Sequence, residues 1–393
     1  MKNIIRKKVL LVTLAMYFCT GSAFALPKDP DNAALLYYQA FCVYEKPDKS
    51  MKDMIAELAK GYIEPNPTII EYIEGCRPAL KLAESAAELD KCDWGMKYSD
   101  GLEGESPHVG QVKFLTYIFL ADAKIALELK DYDLAIKRCL TARKVGIDLG
   151  YAPLAIGFLV EKAITRYTND CIQDILTCHC LDLETLKYLK AKLNELDSRS
   201  KPITYIMEPE QEVMALYASP ERIRELLPYV NPENTPRLIN APEDTRKYIL
   251  EADADFCRRN KTYYDQHWFE IFATLKLPYH EAYIKLKDLG KKTAEDYKEN
   301  PDAFITMLLC PAVHNIYNSG IQSDTYSNAL KTALELYIIK AQTGKFPDNL
   351  PPGSPKDLFS GQDFEYEKTT DGFILRCQVK DVDSDEIHEY EFK

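Results

Sequence analysis

Three carboxylates near the C-terminus form the pattern in this chain that comes closest to a metal-binding loop. Asp381, Asp383 and Asp385 alternate along a polar segment, and carboxylates at i, i+2 and i+4 are how short loops surround Ca²⁺. The segment has no glycine at the sharp bend, and Phe392 stands where a calcium loop carries its last glutamate. The spacing is compatible with a calcium site, but the missing glycine and glutamate favour a solvated acidic hairpin turn.

Soft metal ligands are densest at Cys178-His179-Cys180, with Cys171 upstream. Structural zinc sites need a second ligand pair at a suitable spacing, and covalent haem needs C-x-x-C-H; neither pattern occurs here. A disulfide from Cys171 to Cys178 or to Cys180, closing a helix–helix turn, is one interpretation. Buried or free thiols are the other, since spacing alone cannot assign pairs.

The other segments that resemble catalytic or phosphate-binding motifs lack a residue that the motif requires. His280-Glu281 begins like the zinc-protease helix H-E-x-x-H, but position 284 is Ile. Gly290-Lys291-Lys292-Thr293 resembles the end of a phosphate loop, but position 285 is Lys where that loop has glycine. No G-x-S-x-G nucleophile motif exists. We therefore predict no catalytic and no cofactor-binding residues, and leave enzymatic activity open with the balance against it.

The elements that position these residues are almost all helical up to about residue 320. Residues 112–129 are apolar nearly all round, which predicts a buried helix. Lys130-Asp131-Tyr132-Asp133 predicts a turn, and Ala135, Cys139 and Ala142 then form a stripe of small residues at i, i+4 and i+7. This hairpin resembles one tetratricopeptide repeat (TPR), a unit that needs about three copies to be stable. We predict a mainly α fold, an irregular stack of αα-hairpins arranged as a TPR-like solenoid.

The apolar period changes after Gly344. A long helix is predicted at 311–342, and Phe364 to Val379 then alternate apolar and polar residues in strand fashion. A small antiparallel β-sheet packed on the long helix is the expected result. The predicted divisions are a leader at 1–25, a helical-hairpin domain at 26–310 with a linker at 228–242, and a C-terminal module at 311–393.

Residues 1–25 have the pattern of a secretory signal peptide. Four basic residues among the first eight precede an apolar run at 9–19, and the segment closes on the cleavage triplet Ala23-Phe24-Ala25. The apolar run is too short for a bilayer, which takes about 20 residues of helix. We expect an exported protein, periplasmic or extracellular, with no membrane span after the leader is cleaved.

The charge of the chain restricts its partners. The formal net charge is -12, and removal of the basic leader takes it to about -16. An acidic chain repels phosphate backbones and anionic lipid surfaces. The expected partner is therefore a protein and not a nucleic acid.

Two groups of motifs resemble known families. The C-terminal stretch resembles the globular domain of type II secretion pseudopilins, through Ala333-Leu334-Glu335-Leu336-Tyr337, Thr343-Gly344-Lys345-Phe346-Pro347, Pro355-Lys356-Asp357 and Thr370-Asp371-Gly372-Phe373. The whole mature chain is similar to a family of uncharacterised exported bacterial helical proteins, through the segment at 32–40 and Cys92-Asp93-Trp94-Gly95. These resemblances imply the helix-plus-hairpin module and export, and they imply no activity.

Two functions are compatible with these observations. The first is a non-catalytic protein-binding or scaffolding module of the cell envelope, with a groove lined by side chains from helices of 112–200. The alternative is an extracytoplasmic, polysaccharide-acting enzyme with a cleft between helices. The alternative requires carboxylates from distant segments to converge in one aromatic-lined pocket.

Overall fold

The computed structural model describes residues 29–104, 106–152, 154–178, 181–229, 245–310 and 312–393. Packing divides the chain into two units, Met1–Asp31 and Asn32–Lys393, and every element described below belongs to the second. The predicted leader at 1–25 lies outside the described residues, as does most of the predicted linker at 228–242.

Fourteen α-helices lie within the described residues. In chain order they are α1 Ala33–Val43, α2 Lys49–Ala59, α3 Pro67–Gly75, α4 Arg77–Ala87, α5 Pro107–Glu128, α6 Tyr132–Leu149, α7 Ala155–Thr177, α8 Leu183–Asp197, α9 Ile203–Ala215, α10 Thr245–Glu251, α11 Ala254–Thr274, α12 Tyr279–Glu299, α13 Phe304–Leu309 and α14 Val313–Thr343. Short 3₁₀ helices cover Tyr98–Glu103, Arg222–Tyr229 and Pro301–Ala303.

Several helices begin where a polar side chain accepts a hydrogen bond from the first turn. Asn32 caps α1 by accepting from the amide of Ala34 at 3.3 Å. Asp131 caps α6 by accepting from the amide of Leu134 at 3.1 Å, within the turn predicted between α5 and α6. Such caps satisfy N–H groups that have no partner inside the helix, so local sequence determines where these helices begin.

Helices α5, α6 and α7 form the centre of the hydrophobic core. The apolar helix predicted at 112–129 is α5, and most of its side chains are buried. Ala135, Cys139 and Ala142 of α6 are each 0% exposed, which confirms the predicted contact stripe. Small residues on that stripe let neighbouring helices approach closely.

The antiparallel pair α6 and α7 makes a particularly close contact. A Cβ atom at Gly146 would lie 2.8 Å from a methyl carbon of Ile164, so no larger residue fits there without displacement. One turn further along, a Cβ atom at Gly150 would overlap the Glu161 carboxylate. The two helices therefore run antiparallel, and their register places Arg143 of α6 opposite Asn169 of α7.

The C-terminal part consists of the 31-residue helix α14 and a small sheet. The helix ends at Gly344, whose φ of 83° gives a left-handed C-cap. Strands β1 Glu365–Lys368, β2 Phe373–Arg376 and β3 Glu389–Phe392 follow in the order β1-β2-β3, and both pairings are antiparallel. Tyr326 of α14 stacks on Tyr390 of β3 with ring centroids 4.9 Å apart. The prediction of a mainly helical chain with a small antiparallel sheet packed on a long helix is confirmed.

Candidate functional site

A cleft of about 330 Å³ opens between α6, α7, α8 and α14, and we call it the central cleft. Only two of its lining residues, Ile147 and Pro202, are apolar. The polar lining residues are Arg143 of α6, Lys162 and Thr165 of α7, Asp197 at the end of α8, Ser200 and Lys201 of the following loop, and Asp324, Ser327, Asn328 and Lys331 of α14. Such a lining suits a polar ligand.

Arg143 forms the floor of the central cleft. It is 2% exposed, and a buried guanidinium is costly unless its N–H groups find acceptors. It donates to Asp197 Oδ1 at 2.6 Å, to Asn169 Oδ1 at 2.6 Å and to Ser327 Oγ at 3.0 Å. The planar donor fork thereby joins α8, α7 and α14.

Asp197 is shared between two cations. Besides Arg143, Lys331 of α14 reaches its second oxygen, Oδ2, at 3.0 Å. Burial raises the pKa of Asp197, but the charges and hydrogen bonds of Arg143 and Lys331 outweigh that effect and hold the pKa below its usual value. Asp197 is therefore ionised at neutral pH and keeps both cations in place.

Lys162 is the second buried cation of the central cleft. It is 4% exposed and donates to Asp324 Oδ1 at 2.9 Å and to Ser200 Oγ at 3.1 Å. Burial lowers its pKa, but the carboxylates of Asp324 and Glu161 outweigh burial and raise the pKa above its usual value. Lys162 is therefore a fixed positive charge facing the cleft.

Glu161 lies behind Ser200, at the rear of the central cleft. It is 1% exposed, and its Oε1 accepts from Ser200 Oγ at 2.5 Å. Its Oε2 has no hydrogen-bond partner among the described residues. Burial raises the pKa of Glu161, and the opposing effects of Lys162 and Ser200 do not cancel the rise. A buried carboxyl with one unpartnered oxygen and a raised pKa is uncommon in a protein core, and such groups occur more often at functional sites.

The lining of the central cleft is electropositive although the chain is acidic. Its two carboxylates, Asp197 and Asp324, face four cations, so the net charge of the lining is +2: Arg143, Lys162, Lys201 and Lys331. Lys201 lies over the rings of Tyr151 and Tyr205, with its Nζ 4.5 Å and 5.2 Å from their centroids. Among the described residues, Lys201 has no carboxylate partner. A cleft of this sign attracts anionic groups.

Asp381, the first residue of the predicted calcium site, points into the protein and is 0% exposed. It accepts hydrogen bonds from Gln322 at 2.6 Å, from Tyr279 at 3.1 Å and from Asn318 at 3.2 Å, and His388 Nε2 lies 3.1 Å away. Burial raises the pKa of Asp381, but the hydrogen bonds outweigh burial and lower it to about 2. Its observed role is to attach the segment after β2 to α12 and α14.

The other two carboxylates of that triplet have different partners. Asp383 accepts from the Tyr283 hydroxyl at 2.5 Å, and the 84% exposed side chain of Asp385 pairs with Lys380 at 3.0 Å. No group of three His, Cys, Asp or Glu side chains able to hold a metal ion occurs in the described part of the chain. The calcium site stays a prediction that the placement of these residues does not support.

The predicted disulfide residues are separated along α7. Cys171 is 0% exposed, whereas Cys178 is exposed at the C-cap, where its Sγ donates to the carbonyl of Asp174 at 3.4 Å. Seven residues of helix separate Cα atoms by about 10 Å, beyond the reach of a disulfide. A Cys171–Cys178 bridge therefore needs the end of α7 to unwind. Cys180 lies outside the described residues, so that pairing stays a prediction.

Sequence reasoning anticipated only part of the central cleft. A groove lined by helices of 112–200 was expected, and Arg143, Lys162 and Asp197 do lie in that range. The contribution of Asp324 and Lys331 from α14 was missed, because no local pattern links residues so distant in the chain. One signal was present: Arg143 follows Cys139 by four residues and so continues the buried stripe of α6.

No helix in the described part of the chain combines the length and apolar character that a membrane span requires. Comparison with models of protein families, with curated proteins and with solved structures gave no match to this chain.

Proposed function

We propose that the protein is an exported, non-catalytic binding module of the cell envelope, and that its central cleft receives an anionic group of a protein partner. The observation that carries this proposal is the net charge of +2 on a cleft lining in a chain of net charge -12. An acidic protein that gathers cations in one concave site is selective for negative charge there and repels it elsewhere.

The ionic contacts favour binding over catalysis. Asp197 holds Arg143 and Lys331 in fixed positions, and Asp324 does the same for Lys162. Preorganised cations of this kind bind an anion without a large cost of ordering side chains. Lys201 lies against tyrosine rings and is the cation best placed to contact a partner.

Export and the wider architecture belong to the same proposal. Export is supported by the residue pattern at 1–25. A TPR-like arrangement is supported by the α5–α6 hairpin, with its turn at Lys130 and Asp131, and by the close antiparallel contact of α6 with α7. A stack of helical hairpins presents a concave surface suited to protein partners, and the pseudopilin-like module at the C-terminus would cap that stack.

A polysaccharide-acting enzyme is the second candidate, and one observation favours it. Glu161 is buried, its pKa is raised and its Oε2 has no hydrogen-bond partner among the described residues, which are properties of a general acid. Asp197 and Asp324 come from other helices and line the same cleft, but the aromatic lining expected of such an enzyme is absent from the described residues that line it. Release of soluble sugars from envelope polysaccharide by the wild type, abolished in Glu161→Gln, would establish this alternative.

The proposed function is tested by affinity capture with matched charge variants. Wild type, Lys201→Glu and the control Lys276→Glu, which alters an exposed lysine outside the cleft, are each immobilised and exposed to envelope extract. We expect one partner to be retained by the wild type and the control and lost by Lys201→Glu. Equal retention by all three would show that the cleft is not the recognition site.

A further inference from the structure

Cys139 of α6 and Cys171 of α7 lie at corresponding positions across the interface of these two helices. The register is fixed by the contact of Gly146 with Ile164. Cys139 precedes Gly146 by seven residues, and Cys171 follows Ile164 by seven. Seven residues are close to two helical turns, so each cysteine lies on the same face of its helix as that contact. The antiparallel register therefore brings the two side chains together.

The surroundings of the two thiols agree with this register. Both residues are 0% exposed, and the Cys171 thiol lies close enough to Cys139 to act on its pKa. Burial, and after it the neighbouring Cys171 thiol, raise the pKa of the Cys139 thiol well above its usual value. A buried, protonated thiol is a poor nucleophile, so a covalent link between them has to form before the two helices close.

We propose that Cys139 and Cys171 are joined by a disulfide that forms while the exported chain folds. One thiolate attacks the disulfide of an oxidised thiol–disulfide oxidoreductase, giving a mixed disulfide and one thiol of the oxidant. The second thiolate displaces the oxidant's other sulfur. One S–S bond forms and one breaks, and the two protons given up by the protein thiols pass through solvent to the two sulfurs of the oxidant, which is reduced to a dithiol.

This link would fix the part of the interface that supports the central cleft. Cys139 lies one turn before Arg143, and Cys171 lies two residues after Asn169. A bond between the cysteines would therefore hold the register in which Arg143 donates to Asn169 at 2.6 Å. The pairing differs from the bridges to Cys178 or Cys180 predicted from spacing alone.

Peptide mapping without reduction tests the proposal. The full chain is recovered from the periplasm of a bacterial host in the presence of N-ethylmaleimide and digested with trypsin. We expect the peptide 139–143 to be linked to the peptide 167–187, with a mass two hydrogens below the sum of the reduced peptides plus one N-ethylmaleimide adduct for each remaining free thiol of 167–187. Cys139→Ala and Cys171→Ala should each abolish the linked species, whereas the control Cys178→Ala should retain it.

A second sample separates this chemistry from the question of export. The full chain is reduced, unfolded and refolded in a buffer of reduced and oxidised glutathione, which supplies the oxidant in vitro. The same linked peptide is expected. Recovery of alkylated 139–143 from both samples, or a link within 167–187 that leaves Cys139 alkylated, would overturn the proposal.

Discussion

Arg143 and Asn169 lie opposite each other on α6 and α7, and the guanidinium donates to the amide oxygen at 2.6 Å. Asn169 in turn donates to Ser327 Oγ at 3.1 Å, and Asn169 itself is 0% exposed. The pair thus connects three helices by hydrogen bonds inside the core. Polar groups in such a position stabilise only one register, because a shift of either helix leaves them buried without partners.

Replacement of Arg143 by alanine should lower the free energy of unfolding by about 3–5 kcal/mol, since it leaves Asp197 and Asn169 without their main cationic donor. Urea unfolding followed by circular dichroism measures the change. Arg258→Ala is the control, because its side chain is 69% exposed and pairs with the surface carboxylate of Asp255; we expect a loss of at most about 1 kcal/mol there. Similar losses in both variants would contradict the role given to Arg143.

His108 should make the protein less stable as the pH falls from 7 to 5. It is 1% exposed, its ring stacks on Trp94 at 4.8 Å, and burial lowers its pKa to about 4. The unfolded chain binds a proton near pH 6.5 and the folded chain does not, so unfolding is favoured at pH 5 by about 2 kcal/mol.

The variant His108→Phe keeps an aromatic ring on Trp94 and removes the titrating group. Thermal unfolding of both proteins at pH 7 and pH 5 measures the effect. The loss of stability between pH 7 and pH 5 should be about 2 kcal/mol smaller in the variant than in the wild type. An equal loss in both proteins would mean that other groups cause the pH dependence.

Asp381 should stabilise the fold at neutral pH and lose that effect in acid. Its pKa falls to about 2 in the folded protein, below the value near 3.9 expected in the unfolded chain. A depressed pKa contributes stability above the unfolded value, and the contribution disappears as the pH falls through the folded value. The full contribution is roughly 2–3 kcal/mol.

Asp381→Asn should therefore be less stable than the wild type at pH 7, and the difference should shrink between about pH 4 and pH 2. Chemical unfolding across this range provides the measurement. Asp385→Asn is the matched control, because its side chain is 84% exposed. A difference that persists at pH 2 would show that the carboxylate charge is not what stabilises this segment.

Succinate, a small dicarboxylate, should raise the thermal unfolding temperature of the wild type if the central cleft binds carboxylates. The rise should diminish in added sodium chloride, since salt screens the attraction. Lys201→Glu should abolish the rise and Lys276→Glu should retain it. The same rise in both variants would indicate that succinate acts on the protein surface in general.

The parts of the fold that depend on neighbours in sequence could be predicted. The buried helix at 112–129, the turn at 130–133 and the end of the long helix at Gly344 follow from apolar periodicity and from residue types that favour turns and caps. The same holds for the antiparallel strands after Gly344. Each of these features depends on contacts within one or two helical turns or across one hairpin.

The central cleft could not be predicted in the same way. Arg143 and Ser327 are hydrogen-bonded although 184 positions separate them, and nothing local to either residue indicates the other. The Asp381 triplet shows the same limit, because the spacing of the three carboxylates does not indicate that Tyr279 and Asn318 donate to the first of them. A single sequence shows which side chains are polar, but it does not show which of them are in contact in the folded protein.

Helix α14 contributes Ser327 to the cleft and, at the adjacent position, stacks Tyr326 on Tyr390 of the sheet. A displacement of the sheet would therefore move Tyr326, which is adjacent in sequence to the cleft residue Ser327. In a genetic screen, loss-of-function alleles that map to the last strand would for this reason not identify the sheet as a point of contact with other molecules. Suppressor mutations or direct binding measurements would be needed to decide whether such alleles affect the sheet surface or the central cleft.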